Sequence, residues 1–158
     1  MRAVKTAALV LAFLLAGCAS APHRAPEAST RSIRASAEMA DDAASHALKM
    51  VGRPYRYGGS SPAGFDCSGL VMYSYGKAGL ALPHGTDKQR AVSRLIRTSE
   101  LRRGDVLFFN QEGKRYGHMG IYVGNGRFVH APSSGKTVRT DALGAAYWQR
   151  HLSEARRF

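Results

Sequence analysis

Near residue 100 the spacing of apolar residues changes from a helical repeat to short alternating runs, and no other feature constrains the fold as tightly. Before the change, "AEMADDAASHALKMVG" (37–52) puts Ala40, Ala43, Ala44, Ala47, Leu48 and Val51 on one helical stripe, with Gly52 and Pro54 to end it. "PYRYGGSSPAG" (54–64) is too rich in turn residues for a helix. A second helix is predicted from Asp66 as its N-cap, with Leu70, Val71, Ser74, Tyr75 and Ala78 as its stripe and Gly79 as its stop. "TDKQ" (86–89) reads as a capping box that opens a third helix to about Leu95. After the change come "DVLFF" (105–109), "HMGIYV" (118–123), "RFVHA" (127–131) and a further candidate strand, "KTVRT" (136–140). Helices first and an antiparallel sheet afterwards make an α+β domain.

At 158 residues the chain has room for one ordinary domain and small additions. Arg2 and Lys5 precede an uncharged apolar run, "AALVLAFLLAG" (7–17). That run is too short to span a bilayer core, which takes about 20 residues, but it suits a signal peptide over 1–17. It ends in "LAGC" (15–18), which resembles the lipobox of bacterial lipoproteins, where the chain is cut before the cysteine and the cysteine is lipidated. Cys18 is then a lipid anchor, and "ASAPHRAPEASTRSIRAS" (19–36) completes a flexible tether over 18–36. The domain proper is expected over 37–158. Neither Ala19 nor Ser20 is an aspartate, which by the usual sorting rule points to the periplasmic face of the outer membrane.

The formal net charge is +12, or +10 once Arg2 and Lys5 are removed. Export and the absence of a nucleic-acid signature argue against nucleic acid as a partner. Anionic lipid head groups and the carboxylates of cell-wall peptides remain, beside a simply solvated basic surface.

Lipidation of Cys18 leaves Cys67, in "GFDCSGLVMYSY" (64–75), as a lone thiol in an exported protein. Structural cysteines of that compartment normally come in pairs. A buried filler and a Cys/His/His zinc site are the plain alternatives. The chain has neither a C-x-x-C nor an H-x-x-x-H pair, so no metal and no cofactor is expected.

His118 and His130 flank "GNG" (124–126) on the two arms of a predicted hairpin. A two-residue turn puts their side chains on opposite faces. A three-residue loop pairs Val123 with Arg127 and sets His130 opposite Gly120, so the imidazoles become diagonal neighbours on one face. The second register also gathers Met119, Ile121, Val123 and Val129 into one apolar face, so it is the one expected, with Gly126 as the left-handed residue of a bulge. Gly120 leaves space beside the imidazoles, where a helix tip carrying a thiol fits. Cys67, in the first turn of its helix, has the helix dipole in favour of its thiolate, while Asp66 opposes it unless occupied in capping. His118 then serves as the base, His130 as the group that orients it, and the Cys67 backbone N–H as an oxyanion donor. His23, His46, His84 and His151 read as surface residues, and "RGD" (103–105) as a turn into a strand.

Taken together, "GRPYRYGGSSPAGFDCSGLV", "LRRGDVLFF", "GHMGIYVGNG" and "RFVHA", in this order, resemble the NlpC family of cell-wall cysteine peptidases, in particular its small Gram-negative lipoproteins of the Spr type. The resemblance implies a papain-like α+β fold and hydrolysis of amide bonds in peptidoglycan stem peptides or their crosslinks. It carries Cys67, His118 and His130 as the catalytic set. It also implies that Tyr55 lines the site near the thiol, and that Asp66 and Ser68 shape the substrate or oxyanion pocket. Relatives often carry an arginine where this chain has His84. The partners so implied are stem peptides, and the membrane through the N-terminal lipid. A non-catalytic wall-binding scaffold and a thiol-dependent acyl or amide transferase are the alternatives to an endopeptidase. Pocket shape, not sequence, decides which bond is cut.

Overall fold

A computed structural model describes residues 25–111 and 113–158; the signal peptide expected over 1–17, Cys18 and His23 lie outside the described residues. The elements are α1 (Ala25–Leu48), β1 (Ser60–Ser61), β2 (Gly64–Phe65), α2 (Cys67–Lys77), α3 (Thr86–Ala91), β3 (Arg94–Ile96), a 3-10 turn (Thr98–Glu100), β4 (Val106–Gln111), β5 (Lys114–Gly124), β6 (Arg127–His130), β7 (Arg139–Ala142), α4 (Ala146–His151) and β8 (Leu152–Arg157). The larger sheet has six antiparallel strands in the order β3-β8-β4-β5-β6-β7. The fold is α+β and papain-like, as the order of periodicities and the motifs implied.

Two apolar layers flank the sheet. On one face Ala43, Ala44 and Ala47 of α1 and Leu70, Val71 and Tyr75 of α2 pack against Val106, Phe108, Met119, Ile121 and Val129. The small alanines let α1 lie close to α2 and the sheet. On the other face Trp148 of α4 closes over Leu107, Phe109 and Phe128. Strand alternation therefore sends every second residue of β4, β5 and β6 to a different layer.

Several boundaries differ from the sequence expectations. The tether expected over 18–36 is helical from Ala25 onward, and α1 ends at Leu48, short of Gly52. Alanine, arginine and glutamate without glycine favour a helix, and a proline as second residue is tolerated in its first turn. Residues 28–38 are exposed, and Ala40 is the first buried residue of this helix among those described. The capping box at 86–89 does not form. Gly85 is the N-cap of α3, and Gln89 turns its amide inward to donate to the Ser68 and Pro83 carbonyls. The third helix stops at Ala91, and Arg94–Ile96 becomes an edge strand on β8. The strand expected at 136–140 is displaced to β7, while Val138 exchanges backbone bonds with Gly52 and Arg53. The "RGD" segment is a turn, with Gly104 at φ +96° just before β4.

Candidate active site

The hairpin of β5 and β6 sets the two histidines. Ile121 faces Val129 and Tyr122 faces Phe128, the register that aligns His130 with Gly120. The register shift lies one step earlier than expected: Gly124, not Val123, pairs with Arg127. Asn125 (φ +52°) and Gly126 (φ +67°) form a two-residue turn, and the extra residue is taken up between Tyr122 and Gly124. Past that bulge both imidazoles stand on the Trp148 side of the sheet. His118 Nε2 and His130 Nδ1 are 2.7 Å apart. Both rings are buried, at 2% and 0% exposure, and Trp148 stacks over His118 and meets His130 edge-on.

The thiol does not come in over Gly120. A Cβ there would lie 2.8 Å from the Phe128 ring and 3.1 Å from the His130 Cβ, so that space is full. Cys67 instead sits at the head of α2, packed on the opposite apolar layer, with the Met119 backbone N–H among the groups that favour its thiolate. Met119 follows His118 on β5, at a level where β6 has already ended. Cys67 and His118 thus share one narrow cleft of about 80 Å³, with Tyr55, Gln111, Gly117, Pro132 and Ser133 as its other walls. It admits a reacting carbonyl group, not a whole peptide.

Asp66 caps α2. Its carboxylate accepts from the Gly69 N–H at 2.6 Å, the Ser68 hydroxyl at 3.0 Å and the Gly58 N–H at 3.1 Å. Ser68 is buried, with its hydroxyl committed to Asp66 and its carbonyl to Gln89. His84 is not a plain surface residue: its Nε2 lies 2.9 and 2.8 Å from the two Asp66 oxygens. His151 does lie at the surface, stacked on Tyr147, and His46 closes the last turn of α1.

Asp141 of β7 was not foreseen. Its Oδ2 lies 3.1 Å from His130 Nε2 and accepts from Trp148 Nε1 at 3.0 Å and Arg139 at 2.9 Å. It pairs with Phe128 across the ladder, which makes it a diagonal neighbour of His130. The same alternation that joins the two histidines would have found it, had the strand been read through Ala142.

The electrostatics are of one kind. Burial, then the Asp66 carboxylate, push the Cys67 thiol up to about 11, against backbone N–H bonds that favour the thiolate. Burial, then the facing His130, hold His118 down to about 3. Burial holds His130 down to about 4, opposed by Asp141. Asp141 stays below its ordinary value: burial works against this, but the Arg139 hydrogen bond and the His130 charge outweigh it. At neutral pH the line is therefore a thiol, two neutral imidazoles and a carboxylate.

That state fixes the tautomers. An ionised Asp141 only accepts, so His130 Nε2 carries the proton and its Nδ1 is bare. His130 Nδ1 then accepts from His118 Nε2–H. The remaining nitrogen of His118, Nδ1, is left with a lone pair and no proton.

The pattern of the NlpC/P60 family matches residues 52–157, which contain all of these groups. The chain belongs to the NlpC/P60 family. It is similar to the "Probable endopeptidase NlpC" of Escherichia coli (strain K12), at 39% identity over 154 residues that cover 94% of this chain and 96% of that one. It is 42% identical to the "Murein DD-endopeptidase MepH" of the same organism, over 70% of this chain and 42% of that one. The "Bifunctional muramidase/DL-endopeptidase CwlT" of Bacillus subtilis (strain 168) is 42% identical, over 76% and 37%. The chain thus spans less than half the length of the last two relatives. Among solved structures, an NLP/P60 lipoprotein-like protein of Staphylococcus aureus superposes with a TM-score of 0.66 at 38% identity, over 76% of this chain and 41% of that one. The NlpC/p60 domain of the peptidoglycan hydrolase SagA does so with 0.65 at 31% identity, over 75% and 98%.

Proposed function

We propose that this NlpC/P60 protein is a lipid-anchored peptidoglycan endopeptidase that hydrolyses amide bonds of stem peptides or crosslinks through a Cys67–His118–His130 thiol mechanism. The carrying observation is the hydrogen-bonded line from Asp141 through His130 to His118, whose bare Nδ1 belongs to a ring that shares a cleft with Cys67.

Cys67 Sγ attacks the carbonyl carbon as His118 Nδ1 takes the thiol proton. Generating the imidazolium and the attacking sulfur together suits a pair that is neutral at rest. His130, held by Asp141, accepts from the His118 Nε2–H and stabilises that cation. The backbone N–H of Cys67 is offered to the oxyanion. His118 returns the proton to the leaving amine, the C–N bond breaks, and a thioester to Cys67 remains. Water, deprotonated by the same imidazole, releases the peptide acid and restores the thiol. Asp66 and Ser68 hold the helix head and shape the pocket, and Tyr55 lines the cleft.

Iodoacetamide supplies the test. Muropeptides released from purified sacculi should carry a new amine and a new carboxyl terminus by mass spectrometry, and release should stop in proportion to alkylation mapped to Cys67. Undiminished release by fully alkylated protein would remove the thiol from the reaction. For the anchor, Cys18→Ser is expected to move the protein from the membrane fraction to the soluble periplasmic fraction. Retention in the outer membrane by the variant would overturn the lipid attachment.

A further inference from the structure

The cap of α2 carries a difficulty that the cleft does not resolve by itself. A helix whose first residue is the nucleophile needs a capping acceptor, and Asp66 supplies it. The same carboxylate is one residue from the sulfur, and its field disfavours the thiolate. Dipole and backbone N–H groups help the thiolate only partly, since the thiol stays high. A cation paired with that carboxylate answers the difficulty without disturbing the cap.

His84 occupies that place. Its Nε2 bisects the carboxylate, at 2.8 and 2.9 Å from the two oxygens, with the imidazole about one-third exposed and Asp66 about half as much. Its loop is not free to drift. Gln89, fully buried, donates one amide to Pro83, the residue before His84, and to Ser68, the residue after Cys67. One side chain thus ties the His84 loop to the head of α2.

Few other charges compete at this corner. Asp66 and the Cys67 thiol belong to the head of α2, and His118 and Tyr55 face the thiol from β5 and from the loop after α1. Arg56 lies over Gly64, Lys88 of α3 is exposed beside Gly85, and Asp87 is exposed as well.

We propose that His84 is a positioning residue for the nucleophile: its ring holds the Asp66 carboxylate against the helix head, and a positive charge at this place offsets that carboxylate's field on Cys67. The reactivity of the thiol therefore depends on the charge carried at position 84. This deepens the endopeptidase reading and rests on it for its biological use, but its test does not require peptidoglycan.

The readout is the rate of iodoacetamide alkylation at Cys67 against pH, on the full chain, for wild type, His84→Gln and His84→Arg. Glutamine keeps a donor to Asp66 and lacks the charge; arginine keeps both and stays charged at every pH. His84→Gln should alkylate about tenfold more slowly than His84→Arg at each pH from 6 to 8, the equivalent of about one pKa unit in the thiol. Wild type should lie between the two variants. Superimposable profiles for all three proteins would overturn the proposal, as would an arginine variant as slow as the glutamine one. Thermal melts of both variants guard against a folding defect; should His84→Gln melt early, the comparison of His84→Arg with wild type still decides, since an arginine variant slower than wild type overturns the proposal. Alkylation that follows these expectations in a protein that releases no muropeptides would retire the endopeptidase reading and leave this one standing.

Discussion

Cys67→Ala is expected to silence muropeptide release, and Asp141→Asn to weaken it through the charge behind His130. Removing the sulfur removes the nucleophile, and a loss of about 10⁴-fold or more is the ordinary consequence for a covalent mechanism. The asparagine acts differently. Trp148 Nε1, Arg139 and His130 Nε2 all meet one oxygen of Asp141, Oδ2. In the variant the amide oxygen takes that place, accepts from all three, and leaves the tautomers of His130 and His118 as they are. What is lost is the negative charge that stabilises the imidazolium formed on His118 as the thiol proton arrives. A fall of about 10- to 100-fold in kcat, with KM little changed, is expected, each factor of ten being about 1.4 kcal/mol of transition-state stabilisation. Time courses on sacculi measure it. A variant within about threefold of wild type would show that the Asp141 charge does not act on His118. His130→Ala, which removes the acceptor of the His118 Nε2–H itself, should fall at least as far as Asp141→Asn.

The second large effect is on stability. His118 and His130 are buried and held near 3 and 4, whereas unfolded histidine titrates near about 6.5. Their folded values are depressed, so the unfolded chain binds more protons than the folded one at every pH between these limits. Stability therefore falls as pH falls below about 6.5, with an upper bound of about 1.4 kcal/mol per pH unit for each ring. Glu154 is held down to about 2, first by its hydrogen bond from Arg90, and its contribution is lost only below the ordinary carboxylate range. The window from pH 6.5 to 4.5 thus reports on the two imidazoles. Urea midpoints across it should drop by the equivalent of several kcal/mol, a large share of the roughly 5–15 kcal/mol typical of a domain. His130→Gln, which cannot take the proton, should flatten the slope to about half. A midpoint that stays level from pH 7 to 5 would mean that the buried rings are already charged.

These two expectations join one cause to two outcomes. The burial that keeps the imidazoles neutral leaves His118 Nδ1 unprotonated at neutral pH, and it makes the fold sensitive to acid. The Trp148 ring, closing over both, is the common agent.

The residues differ in how far local sequence discloses their place. The stripes of α1 and α2 are visible because a helix buries residues that are near one another in sequence. The hairpin register of β5 and β6 is visible because a slip by one residue would have mixed Val129 with polar neighbours. The position of the bulge was not visible: Gly124, Asn125 and Gly126 all accept positive φ, and only the strand geometry chooses which of them pairs. Strand β8 is hidden for another reason. "LSEARR" has the charge of a chain end, yet Glu154 is joined to Arg90 and Arg156, and Arg157 to Asp105, so a charged segment lies beside the centre of the sheet.

By itself the sequence determined the α+β class, the helix that presents Cys67, and the ribbon that brings His118 and His130 to one face, since each follows from spacing within a short stretch. The tertiary structure alone decided the direction from which the sulfur approaches, the carboxylate of Asp141 behind His130, and the ring of His84 on the cap of α2. Those contacts join residues that lie far apart along the chain or on separate strands, and their geometry exists only once the sheet has closed its ladders and both apolar layers have packed.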